Sequence, residues 1–166
     1  MKQLAGLLAK LEPGLLPYPV FLQVARLVTL PIVEIVPLRK TRIDTIEILL
    51  TKRPDDDPHW PGKLHTPGTV IRATDSEGSY EDAFERILEG ELAGIKTSQP
   101  VFVQNLLHHE GRGMADAHIY YVEVYSEPFE GSFYDVDHLP ETIAWSQPIF
   151  IETAVSAFRA AKETSA

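Results

Sequence analysis

The chain has no cysteine among its 166 residues, which rules out disulfides, thiolate zinc sites and a cysteine nucleophile. It also lacks a long hydrophobic run: no apolar segment reaches the roughly 20 residues a helix needs to cross a bilayer. Positive charge is scarce, with 15 Lys and Arg against 24 Asp and Glu and a formal net charge of -9. That balance argues against a general nucleic-acid surface and against an anionic membrane. There is no internal repeat and no low-complexity tract beyond Asp55-Asp56-Asp57. The opening MKQLAGLLAKL is apolar enough to suggest a signal peptide, but Lys10 interrupts it and no convincing small-residue cleavage site follows. A single domain with one sizeable core fits this length, and a cytoplasmic location is the default expectation.

Apolar spacing gives the organisation. Leu4, Leu7, Leu8 and Leu11 recur at helical period, so an amphipathic helix is expected at the amino terminus. Pro13-Gly14 stops it, and Phe21 to Leu27 reads as a second short helix. Ile32 to Leu38 and Ile46 to Thr51 are rich in β-branched residues and read as a hairpin joined through Arg39-Lys40-Thr41-Arg42. Val101 to Leu107 and His118 to Val124 add further strands, and Gln147 to Ala161 has the spacing of a closing helix. A mixed sheet with helices on both sides follows from this order.

The most informative stretch is Leu64 to Ile95. Pro67-Gly68 reads as a tight turn feeding the strand Thr69-Val70-Ile71. Ser79 and Asp82 make a capping-box pattern that opens a helix expected to run to about Leu92. On that helix Ala83, Phe84, Ile87, Leu88 and Leu92 form an apolar arc, and Glu81, Glu85 and Glu89 repeat every fourth residue beside it. This strand-loop-helix resembles the Nudix box, the metal-binding motif of hydrolases acting on nucleoside-diphosphate-linked compounds. The segments Gly111 to Asp116, Phe133 to Pro140 and Gln147 to Ala161 resemble, in the same order, the parts that follow the box in that family. The resemblance implies a Nudix-like α/β/α sandwich over residues 29–166, with an extra helical segment over 1–28.

What the resemblance implies for chemistry depends on register. Gly68 matches the opening glycine. With Arg86 as the motif arginine, Glu91 alone survives among the helix glutamates. With Ile87 at the aliphatic position, Glu89 survives and Glu85 stands beside it. The second register keeps the apolar arc facing the core and is preferred. Glu85 and Glu89 are then the expected catalytic residues and the ligands of Mg²⁺ or Mn²⁺, since carboxylates one turn apart present oxygen donors to the same side. An acidic stripe is otherwise a solvated helix face. Arg112 and Arg72 are expected to contact an anion, with Gly68 close to the substrate. His108 and His109, adjacent on a strand, point to opposite faces; one of them facing the pocket as a base stands against a structural role for both. Two functions remain: a hydrolase cleaving a diphosphate linkage in a nucleoside diphosphate derivative with a divalent metal, or a nucleotide-binding or regulatory module on the same fold with impaired catalysis. The expected partners are a nucleotide-type small molecule, no nucleic acid, no membrane, and a second copy of the chain in a homodimer, because the amino-terminal leucines exceed what one core needs.

Overall fold

A computed structural model of the chain describes residues 1–41 and 45–164; Arg42 of the expected hairpin connection and the last two residues lie outside these. Two short helices come first, α1 (Lys2–Leu8) and α2 (Tyr18–Ala25), followed by strands β1 (Leu30–Lys40) and β2 (Ile46–Lys52). Then come β3 (Leu64–His65), β4 (Gly68–Val70), helix α3 (Glu81–Glu89), β5 (Val101–Glu110), β6 (Gly113–Glu123), β7 (Ser132–Asp135) and helix α4 (Pro148–Thr164).

The sheet runs β3-β2-β1-β6-β5, with β4 also on β1 and β7 also on β2. Among the described strands, β1 and β6 form the parallel ladder, from Leu30 opposite Ala115 to Leu38 opposite Glu123; the other ladders are antiparallel. β1 is therefore the central strand and is covered on both faces, which explains its near-continuous apolar run. Its residues divide between two cores as strand alternation requires. Ile32, Val36 and Leu38 join Ala115, Ala117 and Ile119 under Phe150, Ile151, Ala154, Val155 and Phe158 of α4. Val33 and Ile35 face the other way, toward Ala83 and Ile87 of α3 and Leu92 just beyond it. Each large side chain buried this way contributes about 1.5–3 kcal/mol. The architecture is the expected α/β/α sandwich, with α1 and α2 as the additional helical segment. No described helix is long and apolar enough to cross a membrane.

α3 differs from its expected extent. Tyr80 rather than Ser79 is the N-cap, without a side-chain bond, and the Asp82 carboxylate accepts instead from the backbone N–H of Ser76 at 2.6 Å. The capping box does not form because Asp82 serves the preceding loop. The helix stops at Glu89: Gly90 leaves helical geometry with ψ -98°, and Leu92 N–H bonds back to the carbonyl of Ile87 at 3.0 Å. Glu91 thus lies in a turn, off the stripe of its helical predecessors. Asp57 is engaged within the loop after β2. It accepts from the N–H groups of His59 and Trp60 and from Arg53 Nε. Burial opposes its charge, but these three donors hold its pKa down to about 2.

Candidate functional site

A cavity of about 500 Å³ lies where the amino-terminal segment crosses the sheet beside the β3-β4 turn. This is within the usual range for small-molecule sites. One wall is apolar and comes largely from outside the sheet: Leu15, Leu16, Tyr18, Phe21 and Val24, facing Leu30 and Ile32 of β1. The other is polar, with Glu34, His65, Thr66 and Gln147 at its floor and Arg53, Arg72 and Arg112 around it.

Backbone pairing fixes the floor. Glu34 stands directly opposite Gly68 in the β1-β4 ladder, so both share one face of the sheet. Because Gly68 has no side chain, the Glu34 carboxyl lies over it: a Cβ there would come within 2.3 Å of Glu34 Oε2. Gly68 is therefore required by close approach. Glu34 is 4% exposed, and its Oε1 is hydrogen-bonded to the hydroxyl of Thr66. That hydroxyl also meets Oε1 of Gln147, which accepts the Thr66 backbone N–H at 2.8 Å. Gln147 is placed by the start of α4, where its carbonyl receives the N–H groups of Phe150 and Ile151. Burial pushes the Glu34 pKa well up, and the neighbouring Glu110 and Glu91 charges add to the shift.

Beside this floor, His65 Nδ1 lies 2.7 Å from the carbonyl of Thr66. A carbonyl only accepts, so Nδ1 carries the proton and Nε2 presents its lone pair. Burial pushes the His65 pKa down to about 4, and the ring is neutral at pH 7. Its Nε2 sits 3.3 Å from Glu91 Oε2 and 3.3 Å from the Thr51 hydroxyl. Glu91 also reaches the Gly68 N–H at 3.4 Å, and burial pushes its pKa up.

Three arginines face the space differently. Arg112 bonds Glu110 at 2.7 Å, while its Nε is buried with no partner and its guanidinium lies 4.9 Å from the Trp60 ring. Arg53 is held by Asp57 at 2.7 Å and also faces Trp60. Arg72 borders the cavity, and its backbone N–H donates to Asp75. Each guanidinium has more donors than these contacts use.

Three of the expected site residues, Gly68, Arg72 and Arg112, meet at this cavity. Glu85 and Glu89 do not: both are exposed on α3 and neither borders the cavity. The residues two after Glu85 and one after Glu89, Ile87 and Gly90, carry no carboxylate. Of the two box registers, the one pairing Arg86 with Glu91 has its residues near Gly68. Arg86 clamps the preceding loop through Asp75 at 2.6 and 2.9 Å and through the carbonyl of Val70. Among the described residues no three Asp, Glu or His side chains gather as metal donors; Glu110 is taken by Arg112 and Glu91 by the Gly68 turn. The expected ligands Glu85 and Glu89 therefore stand apart from the acids grouped around Glu34, which are Glu91 and Glu110. His108 packs against Phe150 and Trp145 rather than lining the cavity. Sequence reasoning missed Glu34, His65, Thr66 and Gln147. For Glu34 a signal existed: one acid inside an apolar strand buried on both faces, where a charge is costly.

No family model matches the chain, and no curated protein matches it. Solved structures do. A mutT/nudix family protein from Listeria innocua is similar at 19% identity and TM-score 0.59, covering 81% of this chain and 97% of its own. The Nudix domain of Shewanella oneidensis NrtR, solved with ADP ribose, is 19% identical with TM-score 0.59, covering 93% and 97%. The Ap4A hydrolase of C. elegans is 15% identical with TM-score 0.56, covering 80% and 99%. The chain has the Nudix fold.

Proposed function

We propose that this chain binds a nucleoside-diphosphate-type small molecule in the cavity beside Gly68, as a binding or regulatory module rather than as a metal-dependent pyrophosphohydrolase. The observation that carries this reading is the separation of two features. Arg53, Arg72 and Arg112 converge on the cavity, while Glu85 and Glu89 stand exposed outside it. Guanidinium groups match phosphate oxygens in geometry and charge. The aromatic and aliphatic wall from Tyr18, Phe21, Trp60 and Leu16 suits the uncharged part of such a ligand. A similar fold from Shewanella oneidensis was solved with ADP ribose, which makes that compound the natural probe.

Hydrolysis of a diphosphate on this fold, with Mg²⁺ or Mn²⁺ held by helix glutamates, calls for those glutamates at the ligand, and Glu85 and Glu89 lie outside the cavity lining. The test is incubation with ADP-ribose and a panel of nucleoside diphosphate derivatives in Mg²⁺ or Mn²⁺, with products read by chromatography and binding by calorimetry. Binding without turnover is expected. Metal-dependent turnover abolished by Glu89→Gln would restore the hydrolase reading with Glu85 and Glu89 as ligands. The same proposal includes a homodimer: α1 buries none of its residues, and Leu4 and Leu7 are 53% and 57% exposed.

A further inference from the structure

We infer that Glu34 recognises the ligand as an uncharged carboxylic acid, with one oxygen protonated toward Thr66 and the other offered to the cavity as a hydrogen-bond acceptor. The inference rests on the proposed anion-binding site and deepens it by naming a donor that the ligand must carry. Proton counting at Thr66 leads to it. Thr66 has one hydroxyl proton, yet its Oγ contacts both Glu34 Oε1 and Gln147 Oε1. The Gln147 oxygen is fixed as an acceptor, because it takes the Thr66 backbone N–H. If Thr66 gives its proton to an ionised Glu34, two lone pairs face each other at Gln147. If Glu34 is protonated, it donates to Thr66 Oγ, Thr66 donates to Gln147, and every contact holds a proton.

The environment favours the same assignment. Glu34 lies on the central strand among Ile32, Val36 and the α4 core, and among the described residues no cation is hydrogen-bonded to it. The charged and titratable groups facing it are Glu110 from β5 and Glu91 from the turn after α3, both of which disfavour its ionisation; Thr66 and Gln147 favour the charged form less than burial opposes it. His65, neutral, stands on β3, beyond β2 in the sheet. Glu34 Oε2, over Gly68, is then a carbonyl-type acceptor in a cavity whose arginines attract an anion. A charged carboxylate at that point would repel the diphosphate. The neutral acid instead selects a ligand with a hydroxyl or N–H near its phosphates, as a sugar diphosphate has.

Glu34→Gln tests this, because its amide reproduces both halves of the pattern: N–H toward Thr66 and C=O toward the cavity. The variant is expected to bind ADP-ribose within about threefold of the unmodified chain at pH 7. It is also expected to hold that affinity as pH rises, where the unmodified chain weakens as Glu34 ionises. Glu34→Leu keeps the volume and loses the acceptor, and is expected to weaken binding about tenfold, the equivalent of one good hydrogen bond. Independently of any ligand, carboxyl ¹³C shifts of the free protein, assigned by difference from Glu34→Gln, are expected to show Glu34 protonated at pH 7. An ionised Glu34 there, or a tenfold loss in Glu34→Gln, overturns the inference. Absence of ADP-ribose binding by the unmodified chain overturns the functional proposal, and with it the recognition role, while the ¹³C titration still reports the charge state.

Discussion

Replacing Gly68 by alanine isolates the contact on which the cavity floor is built. The backbone at Gly68 has no left-handed φ to relieve, so the effect is purely steric. The added Cβ would lie 2.3 Å from Glu34 Oε2, 3.0 Å from its Cδ and 3.2 Å from the carbonyl of Val33. Relief requires the buried carboxyl to move by about 1 Å and to give up its bond to Thr66, an overpacking cost of about 1–3 kcal/mol. For a chain of this size each kcal/mol lowers Tm by about 2–4 °C, so a fall of about 2–12 °C is expected in calorimetry. The cost should belong to the pair. In a Glu34→Ala background the carboxyl is gone and only the Val33 carbonyl at 3.2 Å remains, so Gly68→Ala should then cost less than about 0.5 kcal/mol, a coupling of at least about 0.5 kcal/mol in a double-mutant cycle. Equal cost in both backgrounds, or no change in Tm at all, would refute the geometry.

Lowering pH from 6.5 toward 4 should destabilise the fold through His65. Its folded pKa is depressed to about 4, so the stabilisation present above 6.5 is lost as pH falls, by about 3 kcal/mol at most; a His65→Gln variant should flatten that part of the Tm-pH curve. Glu34 has the opposite sign. Its pKa is raised, so the preference for the folded state is complete below about 4.5 and is lost as pH rises through the folded value; Glu34→Gln should resist alkaline unfolding better than the unmodified chain. Arg112→Lys keeps the charge but not the fork that spans Glu110 and a ligand, and ADP-ribose affinity should fall about tenfold or more by calorimetry. Glu85→Gln and Glu89→Gln, both exposed, should leave ADP-ribose binding unchanged and shift stability by less than about 0.5 kcal/mol. Light scattering should report a dimer mass, and Leu4→Glu with Leu7→Glu should give the monomer; an unmodified chain that stays monomeric across concentrations would contradict the role given to α1.

The fold was legible because its signals were independent and came in order. A doubly buried β1, a glycine turn, an amphipathic α3 and the spacing of Phe150, Ala154 and Phe158 each specify one layer. Part of the candidate site was legible too. Gly68 and Arg112 sit in glycine-marked turns, and Arg72 follows a short strand. The rest turned on contacts that local pattern does not carry. Glu34 was absorbed into an apolar run, although an acid in such a strand is itself informative. Glu91 follows the helix that Gly90 ends, and in sequence the regular stripe of Glu85 and Glu89 outweighs it. His65, Thr66 and Gln147 come together only because α4 starts beside the β3-β4 turn, a juxtaposition 81 residues apart in sequence.

The most direct test of the central claim is a calorimetric titration of ADP-ribose into the unmodified chain in excess EDTA, repeated with Mg²⁺. Saturable one-site binding in EDTA, with the same affinity in Mg²⁺ and intact ADP-ribose recovered afterwards, is the expected result. Binding that appears only with Mg²⁺, with AMP recovered and activity lost in Glu89→Gln, would contradict it.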